Sequence, residues 1–323
     1  MIPAKTLRTI FMGTSDFAVA ALKGLIGCER TDVRAVFTRP DAVSGRGKRL
    51  LPSPVKAAAQ EAGIEVFTPK DMKGAEVYDA VSSISPDLIV VASYGCILPQ
   101  EILDLPAIGC INIHASILPN HRGAAPIKRA ILEGDKIAGV SLMLMTAGLD
   151  EGDFCAVART EIGDKDYDTL SSELAEMGSK LLIDNIDAIS NGEAAWVAQD
   201  KTRATYAEKI TKAEMLLSPE LSVRDNLLRV RASSSQAPAK AVICDRPLTV
   251  IAASAPEEGE ELPELAPGSA TMFRKRLYLA CSDGLLQILR VKPDGKKEMD
   301  AAAFCAGINA ALKGGESTWS AIA

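Results

Sequence analysis

The chain reads as a two-domain protein: an α/β domain built on a parallel sheet, then a small all-β domain. Three observations carry this reading. Short apolar runs alternate with helical stretches from residue 7 to residue 189, the rhythm of strands joined by helical crossovers. The runs Asp87–Ala92 (DLIVVA) and Gly109–His114 (GCINIH) are largely apolar without alternation, as strands covered on both faces of a parallel sheet must be. After Asn191-Gly192 the rhythm changes to short strand-like runs split by Pro, Gly and acidic turns, which suits a small barrel or sandwich. The length of 323 residues agrees with two domains of ordinary size.

Taken in order, Leu7–Met12 is a first strand ending at Gly13, and a helix follows over about Ser15–Leu25. Val33–Thr38 is a second strand. Pro54–Ala62 is a helix with proline in its first turn, where the missing N–H costs nothing. Asp87–Ala92 and Gly109–His114 are buried strands, Pro126–Glu133 a helix, and Gly139–Met145 a further strand. Thr169–Ile189 is amphipathic and helical. Residues 194–211 are polar and irregular, and read as a linker between a domain at 1–193 and another at 212–323. Strands are expected at Ala241–Cys244, Leu248–Ala252, Arg276–Ala280 and Leu285–Val291. The acidic run at 257–264 (EEGEELPE) reads as a solvated, mobile loop.

Composition narrows the class. Aromatic content is 4%, so the core must rest on Leu, Ile, Val and Ala. A net charge of −6 argues against a general nucleic-acid coat, although partners respond to the local field more than to the total. Residues 210–323 hold 14 Lys/Arg and 14 Asp/Glu, so the excess of acid lies entirely in the first part. The seven cysteines form no Cys-x-x-Cys pair and are irregularly spaced. That predicts buried free thiols in a reducing compartment, with no metal or disulfide framework. The N-terminus lacks a signal-peptide pattern, and no apolar run is long enough to span a membrane. A cytoplasmic location is expected.

Four features carry chemistry. The turn Gly13–Phe17 sits where a dinucleotide fold places its glycine-rich loop, but it has a single glycine, so a nicotinamide dinucleotide is not expected. Between a strand and a helix, Arg39–Lys56 holds five basic residues against one acid, with Gly45 and Gly47 bracketing Arg46, and Lys48 and Arg49 following. Such a flexible cationic loop at a strand's C-terminal end can grip a phosphate backbone. Asn112 and His114 lie two apart on a strand, so an amide and an imidazole share one face. The chain's two histidines, 114 and 121, both lie in this stretch. Finally, Gly148–Asp153 (GLDEGD) follows a strand and offers a glycine-flanked acid that can fix the imidazole's tautomer. Spacing alone leaves Asp150 and Asp153 both open for that part.

These residues resemble the folate-dependent formyltransferases. The resemblance rests on the Asn112-x-His114 strand, Ser116–Pro119, Arg122–Ile127 and the Gly148–Asp153 loop, with Gly13–Phe17 opening the domain in the same way. Ser44–Arg49 with Pro52–Lys56, together with Thr205–Ile210 and Pro293–Lys297, is similar to the branch that acts on initiator methionyl-tRNA. It implies a Rossmann-like catalytic domain followed by an OB-like β-barrel that binds tRNA. It implies 10-formyltetrahydrofolate as co-substrate and no metal; a monomeric enzyme is expected. The implied catalytic residues are Asn112, His114 and Asp150, with Asp150 chosen over Asp153 by the family's Gly-Leu-Asp-x-Gly-Asp pattern. Ile97, Leu98, Pro99, Ser116, Ile117, Leu118 and Pro119 would bracket the pterin, and Arg46, Lys48, Arg49 and Lys209 would contact tRNA. Relatives with the same core formylate small amines or hydrolyse formyl-folate, and a non-enzymatic RNA-binding role would need no intact site. Two departures stand out. Asn120-His121 replaces an aromatic after the Ser-x-x-Pro turn, and Arg231–Pro238 replaces an Asn-Pro-Trp-Pro stretch.

Overall fold

A computed structural model describes residues 5–44, 49–257, 259–308 and 317–322. The chain forms two compact units. The first comprises Met1–Ile127, Ile137–Glu161 and Thr169–Glu208, and the second Lys128–Lys136, Ile162–Asp168 and Lys209–Ala323.

Up to residue 190 the elements in chain order are β1 (Leu7–Gly13), α1 (Asp16–Gly27), β2 (Thr31–Phe37), β3 (Ala42–Ser44), β4 (Arg49–Leu51), α2 (Pro54–Glu61), β5 (Glu65–Phe67), α3 (Ala75–Ile84), β6 (Leu88–Ala92), α4 (Gln100–Leu103), β7 (Gly109–His114), α5 (Pro126–Leu132), β8 (Ile137–Leu144), β9 (Phe154–Glu161) and α6 (Tyr167–Ser190). Seven strands make one sheet in the order β5-β2-β1-β6-β7-β8-β9. The first five pair in parallel. All five side chains of β6 are buried, as its unbroken apolar run requires.

The parallel expectation fails at one edge. β8 pairs antiparallel to β7, with Ile111 opposite Leu144 and His114 opposite Ser141. The unanticipated strand β9 pairs antiparallel to β8. Its residues are half-buried or exposed, so it lacks the apolar run that marks a central strand, and its start hides behind a Gly/Asp turn. The consequence is topological. The loop 145–153 leaves the sheet beside Ile111, not at the His114 end where β6 and β7 release their loops.

α6 lies close on one face. A Cβ on Gly178 would come within 2.7 Å of Ile113 Cγ2 and 3.2 Å of Val140 Cγ1. Ile113 therefore faces α6, and by strand alternation Asn112 and His114 face the other side. One helix contact thus aims the two polar side chains of β7.

The second unit is built from α7 (Val223–Arg231), β10 (Lys240–Ile243), β11 (Arg246–Ser254), β12 (Ala270–Phe273), β13 (Arg276–Ala280), β14 (Leu285–Pro293), β15 (Met299–Asp300), α8 (Ala301–Gly307) and β16 (Trp319–Ser320). The sheet order is β12-β13-β14-β11-β10-β16, all antiparallel. A bridge between Ser269 and Thr318 joins the two ends. Trp319 N–H to Gly268 O at 2.8 Å and Ala270 N–H to Ser317 O at 2.8 Å complete that seam. The result is a nearly closed OB-like barrel. Its core is aliphatic (Leu248, Val250, Leu277, Leu286, Val291), with Phe304 and Trp319 as its large rings, in line with the low aromatic content.

The acidic run differs from the reading of a merely solvated loop. Glu260 accepts from the Tyr278 hydroxyl at 2.8 Å and pairs with Arg276 at 2.5 Å, and Glu261 pairs with Arg274. The acidic run is therefore tied to the β12–β13 hairpin by charges distant in sequence. Arg231, in the stretch that departs from the family pattern, donates to the Lys165 carbonyl from Nε at 3.1 Å. The seven cysteines are free, with Cys110, Cys281 and Cys305 buried and the other four half-buried. Burial pushes the Cys110 thiol up to about 12, which keeps it unreactive. Among the described residues no helix is long and apolar enough to cross a membrane.

Candidate active site

Asn112, His114 and Asp150 come together, all in the first unit. Asn112 Nδ2 donates to Asp150 Oδ1 over a long 3.4 Å. Asp150 Oδ2 lies 3.7 Å from His114 Nδ1, and it accepts the Gly123 N–H at 2.8 Å. His114 Nε2 lies 3.0 Å from the His121 carbonyl. A carbonyl can only accept, so Nε2 carries a hydrogen and Nδ1 is left facing Asp150. Asn112 and His114 are 9% and 6% exposed, while the Asp150 side chain is 16% exposed. Two polar groups are thus held on a buried strand, with the carboxylate nearest solvent.

The competing acid is separated by this arrangement. Asp153 is exposed, and its backbone carbonyl accepts the Leu144 N–H at 2.8 Å as the hairpin begins. Asp150 adopts φ +48°, a left-handed conformation that turns its side chain off the hairpin path. Gly152 must be glycine for a different reason. A Cβ there would stand 1.9 Å from the Leu144 carbonyl oxygen.

Several contributors were not visible as such in the sequence. Gln199, from the polar stretch read as linker, is 8% exposed and donates to the carbonyls of Asp150 and Gly152 at 2.9 and 2.7 Å. Arg122, 3% exposed, donates to Gln199 Oε1 from Nε and Nη2 at 3.0 and 2.8 Å. The same stretch pairs with the loop after β7: Arg122 N–H donates to Thr205 O, and Ala207 N–H to Arg122 O. Ser141, opposite His114 in the sheet, accepts the Leu118 N–H at 3.1 Å and donates to the Ser116 carbonyl at 2.7 Å. A buried serine on a strand gives no sequence signal for that duty.

The expected pterin-bracketing segments emerge from the C-terminal ends of neighbouring parallel strands, 93–99 after β6 and 115–119 after β7. Ile97 is 86% exposed, whereas Leu98 is buried in the core and Pro99 precedes α4. Ser116 and Leu118 are buried, Ile117 and Pro119 half-buried. An exposed aliphatic side chain beside a fixed loop of backbone fits a flat apolar ring with polar edges. Of the expected tRNA contacts, Arg46 and Lys48 lie outside the described residues. Arg49 opens β4, and Lys209 is exposed at the start of the third segment of the second unit.

A Rossmann-like sheet carrying an amide, an imidazole and a carboxylate, with an OB-like barrel after it, defines a group-transfer enzyme of the formyltransferase type. The chain belongs to the formyl transferase family: its N-terminal domain is matched by residues 7–186 and its C-terminal domain by residues 209–309. The methionyl-tRNA formyltransferase of Methylococcus capsulatus is 40% identical over 299 residues, covering 92% of this chain and 96% of that protein. Among solved structures, HypX of Aquifex aeolicus in complex with tetrahydrofolic acid is similar, with a TM-score of 0.64 at 18% identity. That likeness covers 96% of this chain and 48% of HypX, so the chain spans about half the length of that protein. An N-formyltransferase of Helicobacter canadensis, solved with folinic acid and dTDP-3-aminofucose, gives a TM-score of 0.62 at 16% identity, over 89% of this chain and 100% of its own. At these identities the structural likeness concerns the fold.

Proposed function

We propose that this enzyme transfers the formyl group of 10-formyltetrahydrofolate to the free amino group of initiator methionyl-tRNA, giving N-formylmethionyl-tRNA for translation initiation in the cytoplasm. One observation carries the reading. The 40% identity to the Methylococcus methionyl-tRNA formyltransferase runs through both units, over 96% of that protein.

The geometry supports roles for three residues. The carrier supplies a formyl group that is already activated. The amine attacks its carbon, and negative charge develops on the formyl oxygen. Asn112 donates to that oxygen from Nδ2, which among the described residues is held by the long 3.4 Å bond to Asp150. With Nε2 committed to the His121 carbonyl, a proton on His114 sits at Nδ1, beside Asp150, and supplies a second donor. Asp150 stabilises that proton electrostatically and accepts the one leaving the amine. As the intermediate collapses, the bond from the formyl carbon to the carrier nitrogen breaks and that nitrogen takes a proton, releasing tetrahydrofolate. Ile97–Pro99 and Ser116–Pro119 line the carrier's place. Arg46, Lys48, Arg49 and Lys209 contact the RNA backbone, the barrel binds RNA as well, and a single chain carries out the whole reaction.

The direct test incubates the protein with charged initiator tRNA and 10-formyltetrahydrofolate and looks for N-formylmethionine after deacylation. No product beside an active control would overturn the reading. Equal turnover of a small amine would favour a small-amine formyltransferase instead, and release of formate without an acceptor would favour a hydrolase.

A further inference from the structure

We infer that Gln199 is a positioning residue for this reaction: its side-chain amide sets the Asp150 carboxylate against His114, and Arg122 holds the amide in register. The inference rests on the formyl-transfer reading above.

The need for such a device follows from the topology. β8 is antiparallel to β7, so its loop leaves the sheet beside Ile111. To reach His114, residues 146–152 fold back over the sheet face outside any strand. Asp150 meanwhile sits at φ +48°, a left-handed conformation that residues other than glycine seldom adopt. A strained residue on an unpaired loop keeps its geometry only if neighbours determine it.

Gln199 supplies that determination from outside the loop. Its two amide hydrogens go to the Asp150 and Gly152 carbonyls at 2.9 and 2.7 Å, fixing the backbone on both sides of Glu151. Arg122 can only donate, and it gives two hydrogens to Gln199 Oε1 at 3.0 and 2.8 Å. The amide therefore has one permitted orientation, with oxygen toward Arg122 and nitrogen toward the loop. The next residue, Gly123, holds the other end of Asp150 through its N–H at 2.8 Å from Oδ2. One short segment thus fixes the Asp150 backbone through Gln199 and the carboxylate directly. Gln199 acts through Asp150, so its loss alters geometry at the reacting atoms, where a displacement of about 1 Å can cost on the order of 10²-fold in rate.

The test separates this role from simple anchoring. Q199E keeps the side chain's size and gives Arg122 a stronger partner, but it turns an acceptor toward two carbonyl oxygens. Q199M keeps similar volume with neither donor nor acceptor. Steady-state kinetics with charged initiator tRNA and 10-formyltetrahydrofolate, alongside thermal unfolding, are compared with wild type. The expected result is a fall in kcat of on the order of 10²-fold in both variants, with KM for each substrate unchanged and both proteins folded at the assay temperature. Wild-type kcat per folded molecule in Q199E or Q199M, with or without a lower Tm, overturns the inference, and so does a change confined to KM. The wild-type protein is the internal control. If it makes no formylated product, the formyl-transfer reading fails; if it does and the variants match it, only the role of Gln199 fails.

Discussion

Asn112 and His114 share a strand face and the carboxylate of Asp150, yet their bonds differ in kind. His114 is tied through Nε2 to the backbone of His121 at 3.0 Å, which fixes its ring. Asn112 has the long 3.4 Å contact to Asp150, which it can exchange for a substrate oxygen at little cost. N112A should therefore lower kcat by about 10²–10³-fold, the usual loss for one donor to a developing oxyanion, with an unchanged circular dichroism spectrum. H114A should fall at least as far, since it removes a donor and a proton-holding group together. Near-normal single-turnover rates in either variant would remove that residue from the reaction. Residue types and spacing were enough to single out these two side chains, because a strand's period of two is a local property. Gln199 was not legible in the same way. A glutamine among polar residues has no periodic signature, and its importance comes from Arg122, 77 positions away.

At the level of elements, the sheet is aimed by contacts that each involve few atoms. Gly178 lets α6 approach Ile113 closely enough to turn Asn112 and His114 to the opposite face. G178A should destabilise the first unit by about 1–3 kcal/mol through overpacking, measurable as a lower urea midpoint. Asp87, just before β6, is held by Lys5 at 2.8 Å, the Arg8 N–H at 2.9 Å and the Arg8 guanidinium at 3.2 Å. The Arg8 guanidinium, and then Lys5, hold its carboxyl well below the usual range, against the cost of burial. A carboxylate with a lowered folded-state pKa contributes stability above its unfolded value, near pH 4, and loses it as pH falls through the folded value. D87N should accordingly cost about 1.5–3 kcal/mol at pH 7, a penalty that shrinks below about pH 4. Urea unfolding followed at Trp196, with W319F silencing the other tryptophan, reads this out. A penalty independent of pH would disprove the charge-based account. Strand existence was legible at this scale, whereas strand direction was not. The antiparallel β8 and β9 are set by pairing partners, and the pattern of Gly139–Met145 is compatible with either sense.

Across the whole molecule, the two units differ in how their charge is used. The excess acid lies in the first part of the chain, and in the acidic run of the barrel Glu261 and Glu260 pair within their own unit with Arg274 and Arg276. The proposed function assigns RNA binding to a few cations, Arg49 and Lys209 among them. The double variant R49Q/K209Q should raise KM for charged tRNA without changing KM for 10-formyltetrahydrofolate. It should also flatten the salt dependence of tRNA binding by about one unit of slope for each phosphate these side chains neutralise. Filter binding between low and physiological salt provides the measurement, and an unaltered slope would exclude both side chains from the RNA interface.

By itself the sequence determined what depends on local periodicity and residue chemistry: an α/β domain followed by a β domain, buried strands at β6 and β7, and an amide and an imidazole on one strand face. Residue matching then selected Asp150 over Asp153; in the structure Asp150 Oδ2 lies 3.7 Å from His114 Nδ1. Tertiary structure alone decided the antiparallel edge of the sheet, the closure of the barrel through Ser269 and Thr318, the pairing of the acidic run, and the anchoring of the Asp150 loop by Gln199 and Arg122. The physical reason is common to all four. Each depends on hydrogen bonds or ion pairs between groups distant along the chain, whose partners exist only once the chain has folded, whereas strand and helix periodicity is written into neighbouring residues.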